Sequence, residues 1–380
     1  MRMTDNEAPF ASRYARDALR ALAPYSAGRD PETVRRETGY AGPMIKLASN
    51  EGVEGPFPEA RVAMQEAVSA ARRYPEAGAR ALQHALAEQH RVTAGEVLVA
   101  AGGCAVIQHL ASAFLEPGDE VAYCTPTFHL YRLEALRMGA KPVTVSVDVR
   151  GVYDLDALRA AVTARTRLVY VCTPNNPTGG LIKREPLRRF LEALPAHVLP
   201  VIDEAYFEYV EDEDYPDPAR VSKLTERPAV IVRTFSKMFG MAGLRVGYAI
   251  APRDIVEVCR KVQNPYEVNR IAQSAALASV TAGEELARRM RANRDTRSRL
   301  ALAVAALGLE PLPSHANFLC LRVGNARKVA RALEERGIIV RPLDAMGDPA
   351  SIRITVGSEA EHAALLAALE QILRAGVIER

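Results

Sequence analysis

Seven short apolar runs recur between residues 97 and 251, and segments with helical periodicity separate them. The runs are VLVAA (97–101), VAYCT (121–125), VTVSV (143–147), LVYVC (168–172), VLPVID (198–203), AVIVRT (229–234) and VGYAIA (246–251). Most are continuous rather than alternating, which is typical of strands buried on both faces. Intervening segments such as 105–115 and 154–164 carry apolar residues at helical spacing. The alternation predicts an α/β domain in which helices cover both faces of a parallel sheet.

The pattern changes after about residue 269, where long Ala- and Arg-rich segments replace the alternation. Three more strand-like runs follow, NFLCLRV (317–323), GIIVRP (337–342) and SIRITV (351–356). We interpret this part as a second, smaller α/β domain. The predicted division is an N-terminal arm, a large domain and a small domain, over residues 1–45, 46–268 and 269–380.

Charge and cysteine content narrow the class of protein. The net charge is only +3 over 380 residues, and both signs are interspersed, so we expect neither nucleic acid nor a membrane as partner. The five cysteines are far apart and form no CxxC pair, which favours a reducing cytoplasm over a disulfide framework. The N-terminus has no apolar signal-peptide core, and the seven histidines form no paired metal motif, so no metal is expected.

A lysine follows the sixth apolar run, in the segment RTFSKMFGMAGLR (233–245). Lys237 has Thr234 and Ser236 before it and Arg245 after it. A lysine that forms an imine needs desolvation or cationic neighbours, which lower its pKa. The two hydroxyls and the arginine could hold a phosphate. A plain surface lysine after a strand is the weaker interpretation of this segment.

The fifth run ends in a carboxylate, in the segment VIDEAYFEY (201–209). Asp203 is expected in the interior, where an unpaired charge costs several kcal/mol, so it should have a cationic partner. A protonated pyridine nitrogen would meet that need, and Tyr206 could reach an oxygen on the same ring. The alternative is a Mg²⁺-binding aspartate of Walker B type, which would require a GxxxxGK[ST] loop that this sequence lacks.

Two turns at strand ends could supply further polar groups. In TPNNPTGG (173–180), Asn175 could donate a hydrogen bond into a cleft, although turns of this composition are common as plain loops. In VAAGGCAVIQ (99–108), a helix is expected to begin near Gly103 and Cys104. Its free backbone N–H groups would form an anion site, but a glycine pair alone also fits an ordinary turn.

Two other side chains are candidates for the same cleft. Phe128 ends another strand-like run and could lie against a planar ring, unless it is a core residue. Arg353 lies in a strand-like run of the small domain and could bind a carboxylate through two hydrogen bonds, unless it is solvated.

Taken in this order, the segments resemble the fold-type I aminotransferases that use pyridoxal 5′-phosphate (PLP), in their histidinol-phosphate aminotransferase-like branch. The resemblance runs from IKLASNE (45–51) to IRITVG (352–357), through RRYPEAG, PNNPTGG, IDEAY, RTFSKMFGMAGLRVGY and SHANF. It implies a large domain with a mostly parallel seven-stranded sheet and a smaller α/β C-terminal domain. The implied reaction is a ping-pong transfer of an amino group from an L-amino acid to a 2-oxo acid, by way of pyridoxamine phosphate.

The family also implies a role for each matching residue. Lys237 would bind PLP as an imine and move the substrate proton, and Asp203 would pair with the pyridine nitrogen. Cofactor contacts are implied for Asn175, Tyr206, Phe128, Thr234, Ser236, Arg245, Gly103 and Cys104. The substrate would meet Arg353, Arg341, Tyr25 and Asn50. Tyr74 would reach the phosphate in the neighbouring subunit, which implies a homodimer with the arm packed against the small domain and the partner.

Departures from the family pattern leave the substrate open. The family's NENPxGP appears here as NEGVEGP (50–56), and its YPD as YPE. The stretch GGCAVIQHL is closer to the aromatic, phenylalanine-type subgroup. Aromatic amino acids, histidinol phosphate and an amino acid of a specialised pathway all remain candidates. A decarboxylase of the same fold and a non-catalytic PLP-fold regulator are the alternative functions.

Overall fold

The computed structural model describes residues 10–20, 22–23, 28–215 and 227–378, with the side chains of 12 and 13 left aside. The strands are β1 (Ile45–Lys46), β2 (Val97–Ala100), β3 (Glu120–Thr125), β4 (Lys141–Ser146), β5 (Thr166–Cys172), β6 (Leu199–Asp203), β7 (Val230–Thr234), β8 (Gly247–Ile250), β9 (Phe318–Arg322), β10 (Ile338–Ile339), β11 (Arg341–Pro342) and β12 (Ser351–Thr355). The helices are α1 (Phe10–Tyr14), α2 (Asp17–Arg20), α3 (Pro31–Thr38), α4 (Pro58–Val68), α5 (Arg80–His90), α6 (Gly103–Phe114), α7 (Leu130–Arg137), α8 (Leu155–Ala160), α9 (Arg184–Ala193), α10 (Arg253–Val262), α11 (Arg270–Val280), α12 (Gly283–Ala306), α13 (Ala326–Glu334) and α14 (Glu359–Arg374).

The seven apolar runs form one sheet in the order β2-β8-β7-β6-β5-β3-β4. All neighbours pair in parallel except β8, which is antiparallel to both β2 and β7. This is the mostly parallel seven-stranded sheet that the family resemblance implies. Burial follows position in the sheet: β5 is buried along most of its length, whereas every residue of the edge strand β4 is exposed or half-buried.

Apolar clusters lie on both faces of this sheet. Along β7, Val230 and Val232 join one cluster and Ile231 joins the other, as the side-chain alternation of a strand requires. Helix α6 packs on the face of Val232, where an added Cβ on Gly103 would be 3.4 Å from the Val232 side chain. The first residue of α6 therefore lies beside the end of β7.

The return from β7 to β8 places a loop over the carboxyl edge of the sheet. Strand β8 begins with Gly247, where an added Cβ would lie 2.7 Å from the Gly103 nitrogen and 2.8 Å from the Arg233 oxygen. Only glycine permits so close an approach of backbones without displacement. The loop before β8 carries Lys237, so this packing brings the lysine and the start of α6 to one place.

A third apolar cluster is formed mostly by residues 300–378, within the part of the chain predicted to be the small domain. Its sheet has the order β11-β12-β9, with both pairings antiparallel. The run GIIVRP was expected to be one strand, but it is divided at Val340: β10 pairs in parallel with β1, and β11 pairs with β12. Leu47, just after β1, joins the small-domain cluster. No helix among the described residues is both long and apolar enough to cross a membrane.

Candidate active site

A cavity of about 220 Å³ lies where β5, β6 and β7 end, facing the small domain. The predicted site residues that line it are Asn50, Gly103, Cys104, Phe128, Asp203, Tyr206, Thr234, Ser236, Lys237, Arg245, Arg341 and Arg353. A larger cavity of about 780 Å³ elsewhere on the chain is lined by none of the predicted residues. The smaller cavity is therefore the candidate active site, at the strand ends where open parallel sheets bind ligands.

Lys237 is half-buried in this cavity. Its Nζ donates a hydrogen bond to the Ser49 oxygen at 3.1 Å and lies 5.9 Å from the centre of the Tyr206 ring. Burial, and next the charge of Arg353, lower the pKa of Lys237 to about 8. With this pKa about a tenth of the amine is neutral at pH 7, far more than for an ordinary lysine, so it can act as a nucleophile and as a proton carrier.

Asp203 is 4% exposed and has no salt bridge among the described residues. Its carboxylate accepts hydrogen bonds from the Tyr131 hydroxyl at 2.6 Å and from the Ala205 N–H at 3.1 Å. Burial raises the pKa of Asp203 despite these two bonds. A buried carboxylate in this state favours a cationic ligand group beside it.

Tyr206 is 3% exposed, and its hydroxyl accepts a 2.7 Å hydrogen bond from Asn50 Nδ2. Asn50 is itself held by Thr355, whose hydroxyl accepts from the Asn50 N–H at 2.9 Å. This chain of bonds joins the segment after β6 to strand β12 of the small domain. The Tyr206 hydroxyl is thus fixed at the side of the cavity near Lys237.

The turn after β5 corrects one sequence prediction. Asn175, expected to point into the cleft, does not line the cavity, because its amide donates to the Pro126 oxygen at 3.0 Å and to Thr178 Oγ1 at 2.9 Å. Asn176 lines the cavity instead, and its Oδ1 accepts a hydrogen bond from Arg353. The next residue along the same turn therefore takes the predicted position.

Hydrogen-bond donors converge between β2, β7 and the 3₁₀ helix Ala242–Leu244. Thr234 and Ser236 hydrogen-bond through their hydroxyls at 2.9 Å, and Arg245 Nη1 donates to Ser236 Oγ at 3.4 Å. Gly102 has φ +87°, and an added Cβ there would be 2.7 Å from Arg245 Nη2. The first N–H groups of the 12-residue helix α6 open onto the same space. Donors from a helix N-terminus, two hydroxyls and a guanidinium together suit a phosphate.

Two arginines of the small domain face the cavity side by side. Arg341 and Arg353 are direct partners across β11 and β12, so their side chains lie on one face of that sheet. Arg353 is 4% exposed and donates to the Ala48 oxygen at 2.6 Å. Burial, and next the charges of Arg341 and Arg353, lower the pKa of the neighbouring His129 to about 4. This end of the cavity therefore favours an anion.

Besides Asn175, one more predicted residue lies outside the cavity. Tyr74 does not line this cavity; it is 77% exposed and stacks on Tyr266 at 4.6 Å. Tyr25 lies outside the described residues. Sequence reasoning missed Tyr131, which holds Asp203, and Ser49, whose backbone holds Lys237. Tyr131 carried no signal, because it lies in a helix well away from Asp203 in the sequence.

The chain is similar to known proteins over nearly its whole length. A family model described as "Aminotransferase class I and II" matches residues 42–369. The chain is 40% identical to an aromatic amino acid aminotransferase of Thermobifida fusca, covering 93% of this chain and 95% of the relative. It is 37% identical to a histidinol-phosphate aminotransferase of Moorella thermoacetica, covering 94% and 92%. A crystal structure of histidinol-phosphate aminotransferase from Sinorhizobium meliloti in complex with PLP superposes with a TM-score of 0.86 at 28% identity, covering 96% of this chain and 98% of that one.

Fold, cavity and similarity together define a fold-type I PLP-dependent enzyme. The chain belongs to the class I and II aminotransferase family, and it is a PLP-dependent transaminase. The predictions of fold class, cofactor and reaction type are thereby confirmed.

The residues present fit PLP on two independent observations. A buried carboxylate, Asp203, has a raised pKa and no salt bridge among the described residues, which suits a protonated ring nitrogen. At the other end of the cavity, Gly102 leaves open the space beside Arg245 that a side chain would fill, which suits a phosphate. Lys237 lies in the same cavity as both.

Proposed function

We propose that Lys237 is the catalytic lysine of this transaminase, which binds PLP covalently and carries the substrate proton. The observation that carries the proposal is the half-buried Lys237 amine, which donates to the Ser49 oxygen at 3.1 Å and has its pKa lowered to about 8. PLP, when bound, supplies an electron sink for the negative charge that develops on the substrate. Lys237 Nζ would take the proton from the substrate α-carbon as a general base and return a proton as a general acid.

The other cavity residues would bind and orient the cofactor. Asp203 would hold a proton at the ring nitrogen, with Tyr131 fixing its carboxylate. The Tyr206 hydroxyl and the Asn176 amide would hold the ring oxygen. We propose that the phosphate binds at Thr234, Ser236, Arg245 and the backbone of Gly103 and Cys104, and that Phe128 covers the ring.

We propose that the substrate is an amine that carries both a ring and an anionic group. Arg341 and Arg353 would bind the anion, a carboxylate or a phosphate ester, and Asn50 lies on the same side of the cavity. Ile107 and Met346 add apolar surface for a ring. This chemistry is shared by aromatic amino acids and histidinol phosphate, the substrates that the relatives' names indicate.

A donor panel tests the substrate proposal. With one 2-oxo acid acceptor, L-phenylalanine or histidinol phosphate should exceed L-alanine in kcat/KM by about 10- to 100-fold, because burying a ring contributes about 1.5–3 kcal/mol. Equal values for L-alanine and both ring-bearing donors would contradict the proposal. The ranking of the two ring-bearing donors separates a carboxylate from a phosphate as the preferred anion.

We further propose a cytoplasmic homodimer in which Tyr74 reaches the partner's site and the N-terminal arm packs against the small domain and the partner. The exposed Tyr74 and Tyr266 pair supports the dimer, and five free cysteines support a reducing compartment. The division into an arm, a large domain and a small domain at residues 45/46 and 268/269 stays a proposal. The pairing of β1 with β10 supports a link between the arm's end and the small domain.

Replacement of Lys237 tests the central role. A Lys237→Ala protein should lose the absorbance near 420 nm, roughly where covalently bound PLP absorbs, and should lose both half-reactions. Lys183, a half-exposed lysine paired with Asp212, offers the control Lys183→Ala, which should keep both. Near-normal half-reactions in the Lys237→Ala protein would refute the proposed role.

A further inference from the structure

A buried ion pair lies directly behind the candidate site. Arg233 and Glu204 are 2% and 0% exposed. The Arg233 Nε donates to Glu204 Oε2 at 3.1 Å, and Nη2 lies 3.0 Å from the same oxygen. Arg233 lies between Val232 and Thr234 on β7, so its side chain is on the face of the sheet opposite theirs. Neither side chain has a part in the proposed chemistry.

Two aromatic residues, Tyr215 and Phe207, contact this ion pair. The Tyr215 hydroxyl donates to Glu204 Oε1 and lies 3.2 Å from the Thr173 oxygen, and both contacts are buried. The Arg233 guanidinium lies 3.5 Å from the centre of the Phe207 ring. We refer to Arg233, Glu204 and Tyr215 as the Arg233 cluster. Because each member bonds to a different segment, the cluster joins parts of the chain that are distant in sequence.

The three segments are the ends of β5, β6 and β7, and each carries a residue of the candidate site. Thr173 begins the turn that leads to Asn176. Glu204 follows Asp203 directly, and Arg233 precedes Thr234 directly. Two backbone bonds also join these ends: the Thr173 N–H donates to the Asp203 oxygen at 3.0 Å and the Glu204 N–H to the Val232 oxygen at 2.9 Å. The cluster adds side-chain bonds with defined direction.

We propose that Arg233, Glu204 and Tyr215 are positioning residues that fix Asp203, Asn176 and Thr234 for cofactor binding. A buried ion pair is weak evidence for stability, since well-packed apolar residues often serve as well, but it fixes geometry because its bonds are directional. The inference rests on the proposed roles of Asp203, Asn176 and Thr234. Arg233 is among the residues that line the cavity, but its side chain lies on the opposite face of β7, so the cluster acts through these three residues.

Tyr215→Phe is the mildest test, because it removes one hydroxyl and keeps the ring. Tyr123→Phe is its matched control, since the Tyr123 hydroxyl is buried and makes no hydrogen bond among the described residues. A second variant, Arg233→Met with Glu204→Gln, removes both charges together and leaves neither unpaired. For each purified protein, the measurements are the Kd for PLP, kcat, the KM for the amino donor and the midpoint of thermal unfolding.

The Tyr215→Phe and double variants should raise the Kd for PLP by about 10- to 100-fold. This is the factor by which metal affinity typically falls when a residue that hydrogen-bonds a metal ligand is replaced. Their kcat should fall, while the KM for the donor should change less than about threefold, because Arg353 binds the substrate from the small domain. Tyr123→Phe should match the parent protein in Kd and kcat. Should the double variant fail to fold, the Tyr215→Phe result alone decides.

A lower unfolding midpoint with Kd for PLP and kcat within about twofold of the parent protein would overturn the inference, since the cluster would then be purely structural. Lys237→Ala, measured alongside, separates this result from failure of the proposed function. If Lys237→Ala still binds PLP covalently, the assignment of the catalytic lysine fails. If it does not, while the cluster variants bind PLP normally, the inference about the cluster alone fails.

Discussion

Ionised Asp203 lowers the stability of the folded chain unless a cation lies beside it. Burial raises its pKa, so the folded chain without cofactor favours the protonated carboxyl more than the unfolded chain does. The contribution of Asp203 to stability is then fully present below its unfolded pKa of about 3.9 and is lost as the pH rises through the raised folded value. Stability is thus given up for a group that recognises the ring nitrogen of PLP.

The substitution Asp203→Asn should therefore have opposite effects with and without cofactor. Without PLP, the variant should unfold at a higher temperature than the parent protein at pH 7, and this difference should vanish near pH 3, where the carboxyl is protonated. With PLP, the variant should bind at least about 100-fold more weakly, because breaking a buried charge pair costs about 3–5 kcal/mol. Thermal unfolding across pH and PLP titration measure the two effects. Unchanged PLP affinity would contradict the assigned pairing.

At the same scale, residues on regular strands could be predicted from the sequence, and residues in turns less well. Asp203 and Thr234 end strands, where alternation and burial fix the side-chain direction. Asn175 and Asn176 lie in an irregular turn, where no periodicity tells which amide faces the cavity. The structure selects Asn176 because Thr178 and the Pro126 oxygen take the Asn175 amide.

At the scale of elements, the strands could be identified from their apolar runs, but the order of the strands in the sheet could not. Each of the seven runs became a strand of the large sheet, because continuous apolar runs of this length fit strands buried on both faces. The insertion of β8 between β2 and β7 depends on backbone approach at Gly247, a three-dimensional fact that no run reveals. The two-residue strands β1, β10 and β11 are too short to give a periodic signal.

The turn that opens helix α6 provides a prediction at this scale. Gly102→Ala should weaken PLP binding, because the added Cβ would be 2.7 Å from Arg245 Nη2, while affinity for pyridoxal without its phosphate should change little. Gly118→Ala is the matched control: Gly118 has φ +95°, but nothing lies within 4 Å of its added Cβ. Both variants should lose roughly 1–2 kcal/mol of stability from the left-handed backbone.

Titration of both variants with PLP and with pyridoxal distinguishes contact from strain. Only Gly102→Ala should lose selectivity for the phosphorylated form. If the two variants lose PLP affinity equally, backbone strain explains the effect and the phosphate does not bind at this turn.

For the whole molecule, the surface around Tyr74 suggests how two chains would combine. Tyr74 and Tyr266 stack while 77% and 44% exposed. Exposed apolar side chains of this kind are typical of an interface. In a symmetric dimer the same surface would serve both chains, and the proposed dimer has each Tyr74 near the other chain's cavity.

Mixing two inactive variants tests that arrangement. If Tyr74 serves the partner's site, a hybrid of Lys237→Ala and Tyr74→Ala chains has one site with an intact lysine and an intact Tyr74 from its neighbour. After equimolar mixing and exchange, half of the dimers are hybrids, so about one quarter of all sites should be complete and activity should rise accordingly. Lys237→Ala mixed with Asp203→Asn is the control, because both residues of a site come from one chain and no hybrid restores them. Recovery in the control mixture, or none in the Tyr74 mixture after exchange of labelled chains has been verified, would mean that Tyr74 does not act across the interface.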